Sequence, residues 1–160
     1  MQTHNQDIIT LRPNIVQWFI DQLPLLVLCL AALVLGGMDI MLSGLMLIVG
    51  LFFSLCLLYG FIYMRRIRYI IGHEQLICEH GVFQRSVNYM EMYRIVDFAE
   101  HQSLMQQLVG LKNITVLSMD RTTPRLEIIG MNDKNDIVSL IRLRVETMKK
   151  KRGIYEITNR

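Results

Sequence analysis

Charge is scarce in this sequence. Charged residues make up 19% of its 160 positions, against roughly 25% in an ordinary soluble domain. The deficit is local, because between Gln22 and Tyr63 the only charged residue is Asp39. Cysteine is scarce as well. Cys29, Cys56 and Cys78 form no CxxC pair, so neither a disulfide framework nor a standard zinc spacing is present. They read as three small buried apolar side chains in a reducing compartment. The net charge of +3 is too small to indicate nucleic-acid binding. Nucleophile elbow, phosphate-binding glycine loop and kinase signature are all missing, and no catalytic, metal or cofactor site is expected.

Apolar residues are plentiful, at 52%. Two segments, Val16 to Gly37 and Ile40 to Met64, each supply the roughly 20 apolar residues that cross a bilayer. Trp18, near the start of the first, suits the interface, as do Tyr59 and Tyr63 near the end of the second. Pro24 falls in the early turns, where a lost hydrogen bond is easier to replace. Gly36 to Asp39 make a tight link, so the two helices form an antiparallel hairpin. Gly44, Gly50, Ser54 and Gly60, with Ala31 and Ala32, allow close helix approach. No ionisable residue lies near the bilayer centre, which disfavours a channel or transporter. A cleaved signal peptide fits poorly, with one Arg before the apolar stretch and no clear cleavage site.

All lysines and arginines except Arg12 follow Met64, beginning with Arg65, Arg66 and Arg68. By the positive-inside rule both ends of the hairpin face the cytoplasm. The expected organisation is an N-terminal cytoplasmic segment over residues 1–15 and a hairpin over 16–64. A soluble domain follows over 65–150, and a flexible basic tail over 151–160.

Beyond the arginines the pattern shortens and alternates. Strands are expected at Arg68 to Gly72, Gln75 to Phe83, Gln84 to Met90, Arg94 to Glu100, Lys112 to Met119 and Arg125 to Ile129. A short helix begins at Ser103, which with Gln106 has capping-box spacing, and stops at Gly110. Leu104, Met105, Leu108 and Val109 give it an apolar side expected to face the core. A longer final helix is capped by Asn132 or Asp133, with Asp136 in its first turn. Ile137, Val138, Ile141, Val145 and Met148 form its apolar face. Lys149, Lys150, Lys151 and Arg152 close it against the negative end of the helix dipole. Six short strands and one amphipathic helix suggest a bent antiparallel sheet or split barrel plugged by that helix.

Several residues now match a known pattern. They are Arg12-Pro13, Arg68-Tyr69, Gly81-Val82-Phe83 followed by Arg85, and Arg94-Ile95. The most specific match is Gln102-Ser103-Leu104-Met105-Gln106-Gln107-Leu108-Val109-Gly110-Leu111. On these residues the chain resembles the bacterial pleckstrin-homology-like (PH-like) domains that accompany membrane hairpins. The proline usual before the Arg-Ile pair is missing, with Met90 to Tyr93 in its place. The resemblance implies a split barrel capped by a C-terminal helix, in a bacterial inner-membrane protein that is not an enzyme. It also implies self-association.

Other chemistry is weakly represented. His73, His80 and His101 with Glu79 or Glu100 match no metal-site spacing. Glu91 and Asp97 are more simply a solvated face than an acid–base pair. The turn Gly72-His73-Glu74 carries an acid and no Lys or Arg, which disfavours phosphoinositide recognition at that place. The sequence therefore supports a membrane-anchored scaffold that binds copies of itself or other membrane-associated proteins. The alternative is an anionic-lipid sensor using Arg12, Arg65, Arg66, Arg68 and Lys149 to Arg152.

Overall fold

The computed structural model describes residues 8–38 and 41–153. Asp39, in the link between the two spans, and the tail beyond Gly153 lie outside the described residues. Helix α1 runs over Ile15–Gly36 and α2 over Ser43–Arg66. At 1.5 Å per residue they are about 33 and 36 Å long, enough for a hydrocarbon core of about 30 Å. Only 17% and 11% of their most apolar stretches are buried. A soluble core helix would be mostly buried, so the outward apolar side chains of this pair suggest association with a membrane. The second span starts and ends later than the pattern suggested. It takes in Arg65 and Arg66 as its last turn, and the link is correspondingly longer than Gly36 to Asp39.

Small residues bring the two helices together. A Cβ on Gly50 would lie 2.7 Å from the Leu33 side chain, and one on Gly36 would lie 2.8 Å from that of Leu47. The Cys29 thiol donates to the Gly50 carbonyl at 3.5 Å. Gly44 packs against nothing and Ala31 is exposed, so only some of the expected small residues serve the contact. Pro24 lies inside the first half of α1.

The hairpin is inserted between two strands that pair with each other. Strand β1, Ile9–Leu11, precedes α1, and β2, Arg68–Ile71, follows α2. They run antiparallel, with Ile9 opposite Ile71 and Leu11 opposite Tyr69. The segment before the first span was expected to stand apart from the domain. Part of it is instead the edge strand of a sheet, because Ile9 and Leu11 help cover the core.

The remaining strands are β3, Gln75–His80; β4, Ser86–Glu91; β5, Ile95–His101; β6, Leu111–Ser118; and β7, Arg125–Asn132. One sheet has the order β1-β2-β3-β4 and the other β5-β6-β7. A 3-10 turn, Met92–Arg94, joins the sheets. Arg94 fastens it, meeting Glu91 at 3.3 Å and Asp120 at 3.4 Å.

The short helix α3 spans Leu104–Val109, and α4 spans Ile137–Lys151. Asp136, not Asn132 or Asp133, caps α4, accepting from the Ser139 N–H at 3.1 Å. Ile137, Ile141, Val145 and Met148 of α4 are buried against both sheets, with Val138 packed at the edge. This is the plugged, bent-sheet architecture that the periodicity suggested, with one more strand.

Three buried groups give the domain a common pH signature. Burial pushes the Tyr69 phenol well up, against the hydrogen bond that Ile129 N–H donates to it at 3.3 Å. Burial also raises the Cys78 thiol, helped by the charge of Glu79. Burial opposes the Lys112 ammonium, but Glu100 at 2.9 Å and Asp133 at 3.6 Å outweigh it and raise its pKa. In each case the folded state keeps a proton that the unfolded chain releases. The stabilisation is complete below the unfolded values, about 8.5 for Cys, 10 for Tyr and 10.4 for Lys, and fades as pH rises through the folded ones. The melting temperature in detergent should therefore fall above roughly pH 8.5, with Tyr69→Phe flattening the steepest part. A midpoint constant through pH 11 would contradict this assignment.

Candidate membrane-facing site

Two joints hold the domain against the base of the hairpin. The first lies at α1. Asn14 caps the helix by accepting from Val16 N–H at 3.0 Å, and its own N–H donates to the Gly130 carbonyl at 2.9 Å. Gly130 adopts φ +62° beside a bulge in the β6–β7 pairing. A Cβ there would come within 2.7 Å of the Gln17 Cβ. Only glycine permits both the left-handed turn and this close approach.

Gln106 completes the joint. It is 2% exposed and uses its whole amide. Its Oε1 accepts from Ser103 N–H at 2.8 Å, closing the capping box in which Ser103 Oγ accepts from Gln106 N–H. Its Nε2 donates to Gln17 Oε1 at 2.8 Å and to Asn113 Oδ1 at 3.0 Å. Asn113 Oδ1 in turn accepts from Gly130 N–H at 2.8 Å. Ser103, Gln106 and Gly110, the last at φ +67°, therefore shape α3 as expected.

The apolar residues of α3 were expected to fill the core, and the structure corrects this. Leu104 is 77% exposed and Leu108 82%, with Met105 and Val109 also outward. Of the three leucines in that segment only Leu111 is buried. The cause is geometric. At about 100° per residue Gln106 lies roughly opposite Leu104 and Leu108, and its buried hydrogen bonds turn it inward.

The second joint lies at α2. Ile67, buried, connects α2 directly to β2. The five-residue turn between β3 and β4 rises beside α2 and sets Phe83 against Tyr59. Arg65 and Arg66 end the helix and Arg68 opens β2, all three exposed. Arg12 is exposed in the link between β1 and α1. Trp18 is turned more to α2 than to the surroundings. Its ring meets Phe61 edge-on at 5.5 Å, over the space left by Gly60.

The C-terminal basic run sits elsewhere. Lys151 reaches Glu74 at 3.7 Å, and Arg152 lies over the Tyr93 ring at 4.0 Å. Glu74 follows the end of β2 that points away from α2, so this run belongs to the far end of the domain. The four-residue pairing of β2 with β3 separates it from Arg65, Arg66 and Arg68.

The residues weighed for other chemistry are occupied differently. Glu91 pairs with Arg94, and the Asp97 carboxylate accepts from Phe98 N–H at 2.8 Å. No group of His, Cys, Asp and Glu suited to a metal ion occurs among the described residues. Residues 20–145 match the family model described as Bacterial PH domain. No curated protein and no solved structure matched the chain. The match takes in most of the hairpin, strands β2 to β7, the α3 segment with Gln106, and over half of α4, and the chain is therefore a member of the bacterial PH domain family.

Proposed function

We propose that this protein is a non-catalytic, membrane-anchored interaction module. Its hairpin crosses the bacterial inner membrane, and its PH-like domain and both termini lie in the cytoplasm. The domain binds protein, either further copies of the chain or components of an envelope-associated assembly. PH domains are typically interaction modules rather than catalysts, which supports this reading. The observation that carries it is the outward apolar face of α3, held rigid by the Gln106 joint. Four adjacent apolar side chains in the open, on a helix fixed from behind, suit a partner surface. Membrane tethering raises the effective concentration of weakly binding faces.

The test is cross-linking of the full-length protein in native membranes, beside the Leu104→Ser/Leu108→Ser variant. Oligomers or a defined partner in the wild type, depleted at least several-fold in the variant, are expected. A wild type that stays monomeric and recovers no partner contradicts the proposal. A second reading, contact with anionic lipid, is favoured by Arg65, Arg66 and Arg68 at the hairpin base. The position of Lys149 to Arg152 does not favour a role for them in it.

A further inference from the structure

Phe83 is 92% exposed at the tip of the β3–β4 turn, yet it stacks on Tyr59 of α2. The ring centroids are 6.1 Å apart and the planes 12° from parallel. Tyr59 precedes Arg66, the last residue of α2, by two helical turns, or about 10 Å. The headgroup layer of one leaflet is roughly 5–8 Å thick. With Arg66 at the outer edge of that layer, Phe83 reaches the start of the acyl chains.

The turn is built to hold that position. Gly81 has φ +112°, and a Cβ on it would collide with the Gln84 carbonyl, so a side chain is excluded there. An open crevice of about 200 Å³ lies at this turn and the base of α2, lined among others by Arg66, Arg68, His80 and Arg85. Glu79 lies in it too and holds Arg85 at 2.6 Å. Arg66 and Arg68 have no carboxylate partner among the described residues. Three guanidinium groups thus face one carboxylate at the depth of the lipid phosphates, with aromatic rings above them.

We infer that this crevice binds the phosphate of an anionic phospholipid, whose acyl chains run along Tyr59, Tyr63 and Phe83. Guanidinium groups suit phosphate oxygens through paired hydrogen bonds. The inference deepens the lipid reading, requires the hairpin to lie in a bilayer, and is independent of protein binding at α3.

Two measurements on the full-length protein test it. In the first, mass spectrometry of detergent-solubilised protein follows retention of phosphatidylglycerol against phosphatidylcholine. Phosphatidylglycerol should be preferred by about tenfold or more, since each basic residue near a membrane surface contributes roughly fivefold. Arg66→Gln/Arg85→Gln should remove most of that preference, and Lys150→Gln/Arg152→Gln should leave it unchanged. Equal retention of the two lipids, or loss in the C-terminal variant alone, overturns the inference. Inorganic phosphate at millimolar concentration should not displace the lipid; displacement would identify a site for soluble phosphate and overturn it too.

In the second, Trp18→Phe/Phe83→Trp is reconstituted in bilayers with lipids brominated high on their acyl chains. Strong quenching of its fluorescence is expected, and an unquenched, water-like emission overturns the membrane placement of the turn. Membrane extraction by alkaline carbonate separates this failure from failure of the hairpin itself. A chain that resists extraction but shows no quenching has a hairpin in lipid and no lipid contact at Phe83.

Discussion

Gln106→Ala is expected to destabilise the domain by about 2–4 kcal/mol, a large effect for one polar residue on a six-residue helix. Two groups lose their partner at once, the Ser103 N–H and the Gln17 side-chain oxygen, while the Asn113 side-chain oxygen loses one of two donors and keeps the Gly130 N–H. Gln17 is 3% exposed, so water cannot freely take the vacated place. A buried polar group left unpaired costs about 1–3 kcal/mol, more than the hydrogen bond itself contributed. The conservative Gln106→Glu places a second carboxylate oxygen where an amide donates, and should be nearly as damaging.

Chemical unfolding of the detergent-solubilised protein measures this, as a double-mutant cycle with Gln17→Ala. The two changes should be coupled by at least 0.5 kcal/mol, the lower end for groups in one network. Additive effects would mean that the hairpin and α3 do not share the joint. The same variants should also loosen the domain from α1. Limited proteolysis in the Arg12 to Asn14 link should therefore speed up well before global unfolding.

Ile141→Ala should be comparably severe. Ile141 is fully buried at the centre of the α4 face, among Ile137, Val145 and Met148. Truncating a buried isoleucine costs about 2–5 kcal/mol, part from lost burial and part from the cavity left behind. Small domains are only marginally stable, and here α4 closes a core lined by two sheets. The expected result is a midpoint shift large enough to leave part of the chain unfolded near growth temperature. Leu143→Ala is the control, since Leu143 is 67% exposed on the same helix and should change stability by less than about 0.5 kcal/mol. Equal losses for the two variants would contradict the plugging role of α4.

How far the residues alone revealed these features varied with the range of the interactions. The hairpin was plain, because its signal is length and apolarity within one segment. Ser103 and Gly110 were plain too, since a cap acts over three or four residues. The α4 face emerged from its 3.6-residue period. The cap of α4 was misplaced because Asn132, Asp133 and Asp136 all have suitable side chains. Strand β7 runs on to Asn132, Asp133 pairs with Lys112, and α4 starts only at Ile137, which leaves Asp136 next to the first turn to serve.

Strand β1 was missed for a different reason. Three residues hold no readable alternation, and its partner β2 lies beyond both membrane helices. The direction of α3 was misread because apolar spacing normally marks the buried side. Nothing local shows that Gln106 has partners waiting at Gln17 and Asn113.

Composition and periodicity thus settled the two-part plan of the protein, a greasy helical pair joined to a bent-sheet domain with a helical plug. Those properties depend on near neighbours in the chain, whose preferences add up within a single helix or strand. Folding in three dimensions decided which way α3 turns, that residues 9–11 complete a sheet, and that Phe83 and three arginines gather beside the end of α2. Each of these depends on a contact between distant segments, such as Gln17 with Gln106, and such a contact has energy only once both partners have been brought together.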